Sequence, residues 1–344
     1  MKTLIHHFTR TILCLTVSAA IATCSNEDDS LPKDKDTASL ALSIPQLQAS
    51  SRAVGTDAEN AIHTLRVIIT NENGAYINRD FTLTDVTNGT VTIDHVPVGT
   101  VQMYVIANEA ALGKDYSNYD TWKGDIVEVP GHSHKKVLVK DESRMHFPLR
   151  LPDFEAGGKG LPMSWKNLSL TVYPPVAGDN APQEVVVNLV RCVAKLNIIM
   201  NNALTDEINI DQMSFGRFFA DRIYLFKEGS LDIPSDAVYN EDVLSYTGLD
   251  IAIPGGESKT LGLYIYPSFA WKEGGYSPYT IGFHTKAGND YPMQAFVNDY
   301  GTLHFITRNK QINIHATLSS PANVDISFKV VPWEEKQVEV PSFN

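Results

Sequence analysis

The sequence predicts an all-β protein built as two tandem β-sandwich domains. Apolar and polar residues alternate with a period of two in short segments along most of the chain, and no long stretch keeps a helical period. Turn signals such as Asn71-Glu72-Asn73-Gly74, Asn88-Gly89 and Pro130-Gly131 separate those segments at short intervals. Midway, a stretch rich in Pro, Gly, Asp and Asn (Val176 to Gln183) interrupts the pattern, and 344 residues are enough for two domains of ordinary size. At 43% hydrophobic residues the chain can bury true cores. A net charge of −12 argues against nucleic acid as a partner, because phosphate contact needs basic patches; the acidity reads as solubility.

The residues before Cys24 stand apart from the fold. Lys2 and Arg10 make a positive n-region, and Thr11 to Ala22 is an apolar run too short to span a bilayer. It ends in Ile21-Ala22-Thr23-Cys24, followed by Ser25-Asn26-Glu27-Asp28-Asp29. This resembles a bacterial lipoprotein signal, in which residues 1–23 are cut away and the thiol of Cys24 is acylated with palmitate-type chains. Thr23 departs from the usual Gly, Ala or Ser, and an ordinary secretory signal cut nearby is the alternative. The acidic run resembles the surface-export signal of some Gram-negative lipoproteins and serves equally as a solvated linker. Each buried acyl methylene would add about 0.8 kcal/mol of membrane affinity. Of the three cysteines, Cys14 leaves with the signal, Cys24 is the lipid site and Cys192 has no partner. Cys192 lies in the apolar run VNLVRCVAKLNII and is expected to be a small buried hydrophobe.

After a polar tether, Ser25 to Asp36, comes a short alternating strand. Leu40, Leu42 and Ile44 lie on one face, with Ser39, Ala41 and Ser43 on the other. Pro45 suits its end. The small-residue stretch Gln48 to Ala53 then carries Arg52, which a protease could thread; Arg66 is the alternative cut but lies inside a strand. Further strands are expected at Thr64–Thr70, Phe81–Leu83 and Gly89–Asp94, and at Val101–Ala107, which is apolar on both faces and so central. Asn108–Lys114 reads as a short helix, Ile126–Val129 and Lys136–Val139 as a hairpin, Met145–Leu151 as a strand, Leu161–Trp165 as a loop and Leu168–Tyr173 as a strand. With the boundary in the Pro/Gly stretch, the domains are 53–182 and 183–344, preceded by a propeptide, 24–52. The second domain opens with Glu184–Met200 and continues through strands at Ile208–Phe218, Arg222–Phe226, Ser258–Tyr266, Tyr279–Thr285, Tyr291–Val297, Gln311–Leu318 and Val324–Val331. The last has the cleanest alternation, with Val324, Ile326, Phe328 and Val330 on one side; Val338 and Val340 alternate again beyond Pro332-Trp333. Trp333 reads as a core plug.

These features together resemble the fimbrillins, the lipoprotein-precursor pilins of type V pili. The matching residues are the signal ending at Cys24, the strand before Arg52, and Leu65 to Ile69 with its Asn73-Gly74 turn. To these add Tyr104 to Glu109, Leu161 to Ser164, Arg191 to Leu196 and the closing Val330-Val331-Pro332-Trp333. The resemblance implies two transthyretin-like β-sandwiches and a subunit of a Gram-negative surface fimbrium that supports adhesion. It also implies a route. The precursor is held to the outer membrane through lipid on Cys24, and an Arg-specific extracellular protease cuts between Arg52 and Ala53. The strand bearing Leu40, Leu42 and Ile44 leaves, and a donor strand from another copy or a related pilus subunit takes its place. Donor residues are expected at Val324, Ile326, Phe328 and Val330, extended by Val338 and Val340.

Other chemistry finds little support. Ser133-His134-Lys135-Lys136 has the loose spacing of some acylating enzymes but sits in a Gly-flanked turn, and His132 with His134 lacks a third metal ligand. Asp28-Asp29 and Asp34–Asp36 lack calcium-loop spacing. No nucleophile elbow, P-loop or carboxylate pair on an identifiable scaffold is present, so neither enzyme activity nor a cofactor is expected. The alternatives are an anchor or tip subunit of the same pilus, or a glycan-binding surface lipoprotein using Trp271, Tyr276 and Tyr279 near Gly274-Gly275.

Overall fold

The computed structural model describes residues 37–45, 47, 58–71, 74–112, 116–118, 126–128, 137–138, 160–176, 181–226, 233–234, 237–320 and 323–332. Cys24, Arg52, Ala53, Trp333, Val338 and Val340 lie outside them, as do the segments 132–136 and 145–151. Regular structure among the described residues is strand, with short helical turns at 58–60, 83–85 and 109–112 and helical residues at Pro45 and Leu47.

The first half contains β1 (Thr37–Ser43), β2 (Thr64–Asn71), β3 (Gly74–Thr82), β4 (Thr90–Pro97), β5 (Gly99–Ala107), β6 (Ile126–Glu128), β7 (Val137–Leu138), β8 (Met163–Val172), β9 (Gln183–Val186) and β10 (Val190–Arg191). One sheet runs β4-β1-β9 and faces a second, β10-β8-β5-β2-β3. Between them lies a core of Leu40, Leu42, Ile44, Val67, Ile69 and Met103, among others, as the period-two pattern requires. As expected, β5 is central, flanked by β2 and β8. Its second face is apolar because Ile106, with Ile68 of β2, packs into the core of the other domain.

That other domain holds β11 (Ala194–Asn202), β12 (Ile208–Phe215), β13 (Arg222–Tyr224), β14 (Leu244–Ile253), β15 (Ser258–Ile265), β16 (Thr280–Thr285), β17 (Asp290–Ala295), β18 (Val297–Asn298), β19 (Gly301–Thr302), β20 (Lys310–Ser320) and β21 (Asn323–Pro332). Its sheets run β15-β11-β20-β21-β18-β19 and β17-β16-β12-β14-β7. The protein is all-β with a two-sandwich arrangement.

Several boundaries differ from those expected. β9 and β10 follow the Pro/Gly stretch yet complete the N-terminal sandwich, so the change of core falls between Leu189 and Cys192 rather than after residue 182. The segments at Ile126 and Val137 do not pair with each other. β6 joins β13 and β7 joins β14, so the first half lends strands to the second. Met163–Trp165 is not loop but the start of β8, paired to β5 and β10. The Asn88-Gly89 turn (φ 53° and 74°) does reverse the chain, but β4 then pairs with β1 instead of β3. Val330 is 47% exposed, so the inward row of β21 stops at Phe328. β14 has no clean alternation in the sequence, because Gly248, at φ 69°, and an irregular register beside it interrupt the pattern.

Asn108, fully buried at φ 57°, ties the β5 end to its surroundings. Its Oδ1 accepts from the His63 N–H at 2.8 Å, and its Nδ2 donates to the carbonyls of Ala61 and Leu161. Gly160, at φ 62°, lies so near that a Cβ would come within 2.4 Å of Asn108 Nδ2 and 2.9 Å of Ala61 O. Gly160→Ala is therefore expected to cost about 2–4 kcal/mol, from backbone strain and the displaced amide together. Chemical denaturation checks this; a loss under about 0.5 kcal/mol would contradict it.

Candidate functional site

The feature that sets this fold apart is where β1 lies. It is not an edge strand but the middle of its sheet. It pairs antiparallel with β4 (Leu40 opposite Ile93, Leu42 opposite Val91) and parallel with β9 (Leu40 opposite Gln183, Leu42 opposite Val185). The Ile44 N–H donates to Gly89 O at 3.0 Å, and the Val187 N–H to Ser43 O at 2.9 Å. Within their sheet, β4 and β9 are joined only through β1. Leu40, Leu42 and Ile44 are each fully buried, and Leu47, in a helical turn after the strand, joins the same core. On the outer face Ser39 Oγ donates to Asp94 Oδ1 at 2.7 Å. Without β1, two strands would present unpaired N–H and C=O groups on either side of an apolar slot.

The chain that follows is held elsewhere. The helical turn at 58–60 is fixed in the seam between the domains. Glu59 pairs with Lys195 and accepts from Tyr264 Oη at 2.7 Å. Arg191, 4% exposed, donates Nε–H to Glu59 O, Nη1–H to Asn309 Oδ1 and Nη2–H to Asn60 Oδ1. Deeper in the seam, Arg308 donates to the carbonyls of Val190, Arg191 and Leu225 and to Ser164 Oγ, with Cys192 Sγ at 3.3 Å. Cys192 is buried as expected, though in a polar niche. Arg66, the alternative cut, is 7% exposed and bidentate to Glu109 at 2.6 and 2.8 Å, beyond a protease's reach. Burial, with Cys192 and Glu109 adding, pushes the Tyr116 phenol up, so it stays neutral beside this network.

The C-terminal strand is also committed. β21 pairs with β20 along its whole length, and Val324, Ile326 and Phe328 fill its own domain's core. The residues expected as donors, Val324, Ile326 and Phe328, are thus occupied within their own domain in the single chain. The proposed aromatic platform is not assembled either. Tyr279 is fully buried, with its hydroxyl donating to Ser268 O, and burial raises its phenol. Trp271 stacks on His304 at 3.9 Å, leaving Tyr276 alone in solvent. Among the described residues, no group of three or more His, Cys, Asp or Glu could hold a metal ion. No described helix is long and apolar enough to cross a membrane.

Two sandwiches joined by a polar seam, one of them closed by a strand from the start of the described chain, define a structural building block. The family described as "Major fimbrial subunit protein (FimA)" matches residues 38–210, half of the chain, and the chain belongs to that family. Its members are structural subunits of cell-surface fimbriae. No curated protein sequence matches it significantly. Among solved structures it is similar to the tip fimbrial protein Mfa3 from Porphyromonas gingivalis with C-terminal truncation. That likeness has 12% identity over 86% of this chain and 100% of that one, with a TM-score of 0.52. It is also similar to a fimbrilin (FimA) from P. gingivalis W83, with 14% identity over 88% and 99% and a TM-score of 0.50. At such identities the likeness is one of fold.

Proposed function

We propose that this chain is a polymerising fimbrial subunit whose precursor is lipidated on Cys24, cut between Arg52 and Ala53, and joined to its neighbour by strand replacement. The observation that carries the reading is β1 itself: a segment upstream of Arg52 supplies the middle strand of a sheet. Leu40 and Leu42 in it and Ile44 just after it, all fully buried, are worth about 1.5–3 kcal/mol each, against a typical domain stability of about 5–15 kcal/mol. While the tether is intact, β1 competes at an effective concentration in the millimolar range, which a second chain in solution does not match. Cutting after Arg52 removes that advantage. The anchored turn at 58–60 then keeps the rest of the domain in place while the slot opens.

The donor is narrowed by the same logic. Withdrawing β21 would empty the C-terminal core of Val324, Ile326 and Phe328, so the donor is the segment after Pro332, with Val338 and Val340 as the inward residues. A head-to-tail contact of this kind does not close and yields a filament.

Treating the precursor with an Arg-specific protease is expected to yield a chain beginning at Ala53 that assembles into oligomers. Arg52→Ala should leave 24–52 attached and the protein monomeric. Val338→Asp with Val340→Asp should be cut yet stay monomeric. N-terminal sequencing and size-exclusion chromatography read both; an Arg52→Ala chain that assembles like its parent sinks the processing step.

A further inference from the structure

The strand-exchange reading, on which the following rests, fixes how near two copies must come. Between Pro332, where β21 ends, and Val338 lie only residues 333–337, so those two points are at most about 22 Å apart even when fully extended. An incoming strand that follows β1's direction keeps the antiparallel pairing with β4 and the parallel pairing with β9. It therefore enters at the Thr37 end. The end of β21 in one copy is thus held beside the slot mouth of the next.

Both places carry exposed apolar surface. At the slot mouth, with β1 in place, a concavity of about 510 Å³ is bounded by Thr37 and Ser39 of β1, which leave with it, and by Asp94, Tyr173, Pro174 and Val176, which stay; Tyr173 and Val176 are 64% and 71% exposed. Beside the end of β21 a second, of about 420 Å³, is bounded by Tyr300, Phe305, Lys310, Ile312, Phe328 and Val330. There Tyr300 is 97% exposed, and Phe305 and Val330 are nearly half exposed. Exposed aromatic and branched side chains gathered in this way mark contact surfaces. The charges are complementary: Lys310 stands on one surface and Asp94 on the other, and Asp94 loses its Ser39 partner when β1 departs.

We infer that in the fibre the β21 end of one subunit (Tyr300, Phe305, Val330) docks on the slot mouth of the next (Tyr173, Pro174, Val176), with Lys310 facing Asp94. The occupant is a second copy of this chain. The contact adds to the inserted strand and sets the angle between successive subunits.

Full-length precursor carrying both Tyr300→Cys and Val176→Cys, cut by an Arg-specific protease and mildly oxidised after assembly, should give a disulfide-linked ladder on boiled non-reducing gels. Each single variant should not. In a second arm, Lys310→Glu and Asp94→Lys should each slow elongation about three- to tenfold at low salt, and their combination should recover most of the rate. Parent fibres that form while the pair fails to cross-link and neither charge reversal slows elongation overturn the docking and leave strand exchange standing. A parent chain that is cut yet remains monomeric overturns both.

Discussion

Replacing Leu42 by Asp in the uncut precursor is expected to lower the melting temperature of the N-terminal sandwich by about 10–20 °C. It should also let the chain oligomerise without any protease. Leu42 is fully buried at the centre of its sheet, opposite Val91 on β4 and Val185 on β9. Losing a buried leucine costs about 2–5 kcal/mol, and a carboxylate without a partner cannot stay in its place, so the strand must leave the slot. For a unit of this size each kcal/mol shifts the midpoint by about 2–4 °C. The consequence is specific because β1 alone joins β4 to β9, so the displaced strand leaves a slot rather than a local dent. Differential scanning calorimetry and gel filtration of the uncut protein give the answer. An Asp variant that melts with its parent would mean that β1 is not structural.

The alternation of Leu40, Leu42 and Ile44 announced a strand with one buried face, and the structure buries that face completely. What the alternation did not carry was the identity of the neighbours. Pairing with β9 joins residues far apart in sequence, and period two says nothing about which strands flank a given one. The same gap explains β6 and β7. Each is a short apolar segment that looks like half a hairpin, and each is claimed instead by a strand of the other domain. At β21 the alternation marks a strand but does not say which core it fills. A row of inward apolar residues fits its own core as readily as a neighbour's slot, and the core of its own domain takes Val324, Ile326 and Phe328. Arg308 left no signal at all, because a single arginine before Asn309-Lys310 looks like any solvated turn. Its partners are main-chain carbonyls, which a sequence does not display.

That arginine carries the second large effect. Arg308→Met is expected to cost about 3–5 kcal/mol and to split unfolding into two transitions. The guanidinium is 7% exposed and donates along three directions: Nε to Arg191 O at 2.9 Å, Nη1 to Leu225 O at 2.6 Å, and Nη2 to Val190 O at 2.6 Å and Ser164 Oγ at 2.9 Å. Val190 and Arg191 form β10 and Ser164 lies on β8, in the N-terminal sandwich; Leu225 follows β13 in the other. Exchanging a buried charge for a hydrophobe is often harmless when its partner is exchanged too. Here the partners are backbone carbonyls that stay behind, each costing about 1–3 kcal/mol if left without a donor and without water. Lysine keeps the charge but concentrates its donors on one atom, which cannot serve three divergent acceptors, so Arg308→Lys should recover less than half of the loss. On the proposed strand-exchange reading the position would also matter for assembly, because the slot would lie in one sandwich and the donor would leave the other, so that tension along a fibre would cross the seam that Arg308 bolts. Urea denaturation followed by tryptophan fluorescence measures the effect. If both substitutions stay within about 0.5 kcal/mol of the parent and unfolding remains a single transition, the two sandwiches are held together by their apolar contact alone.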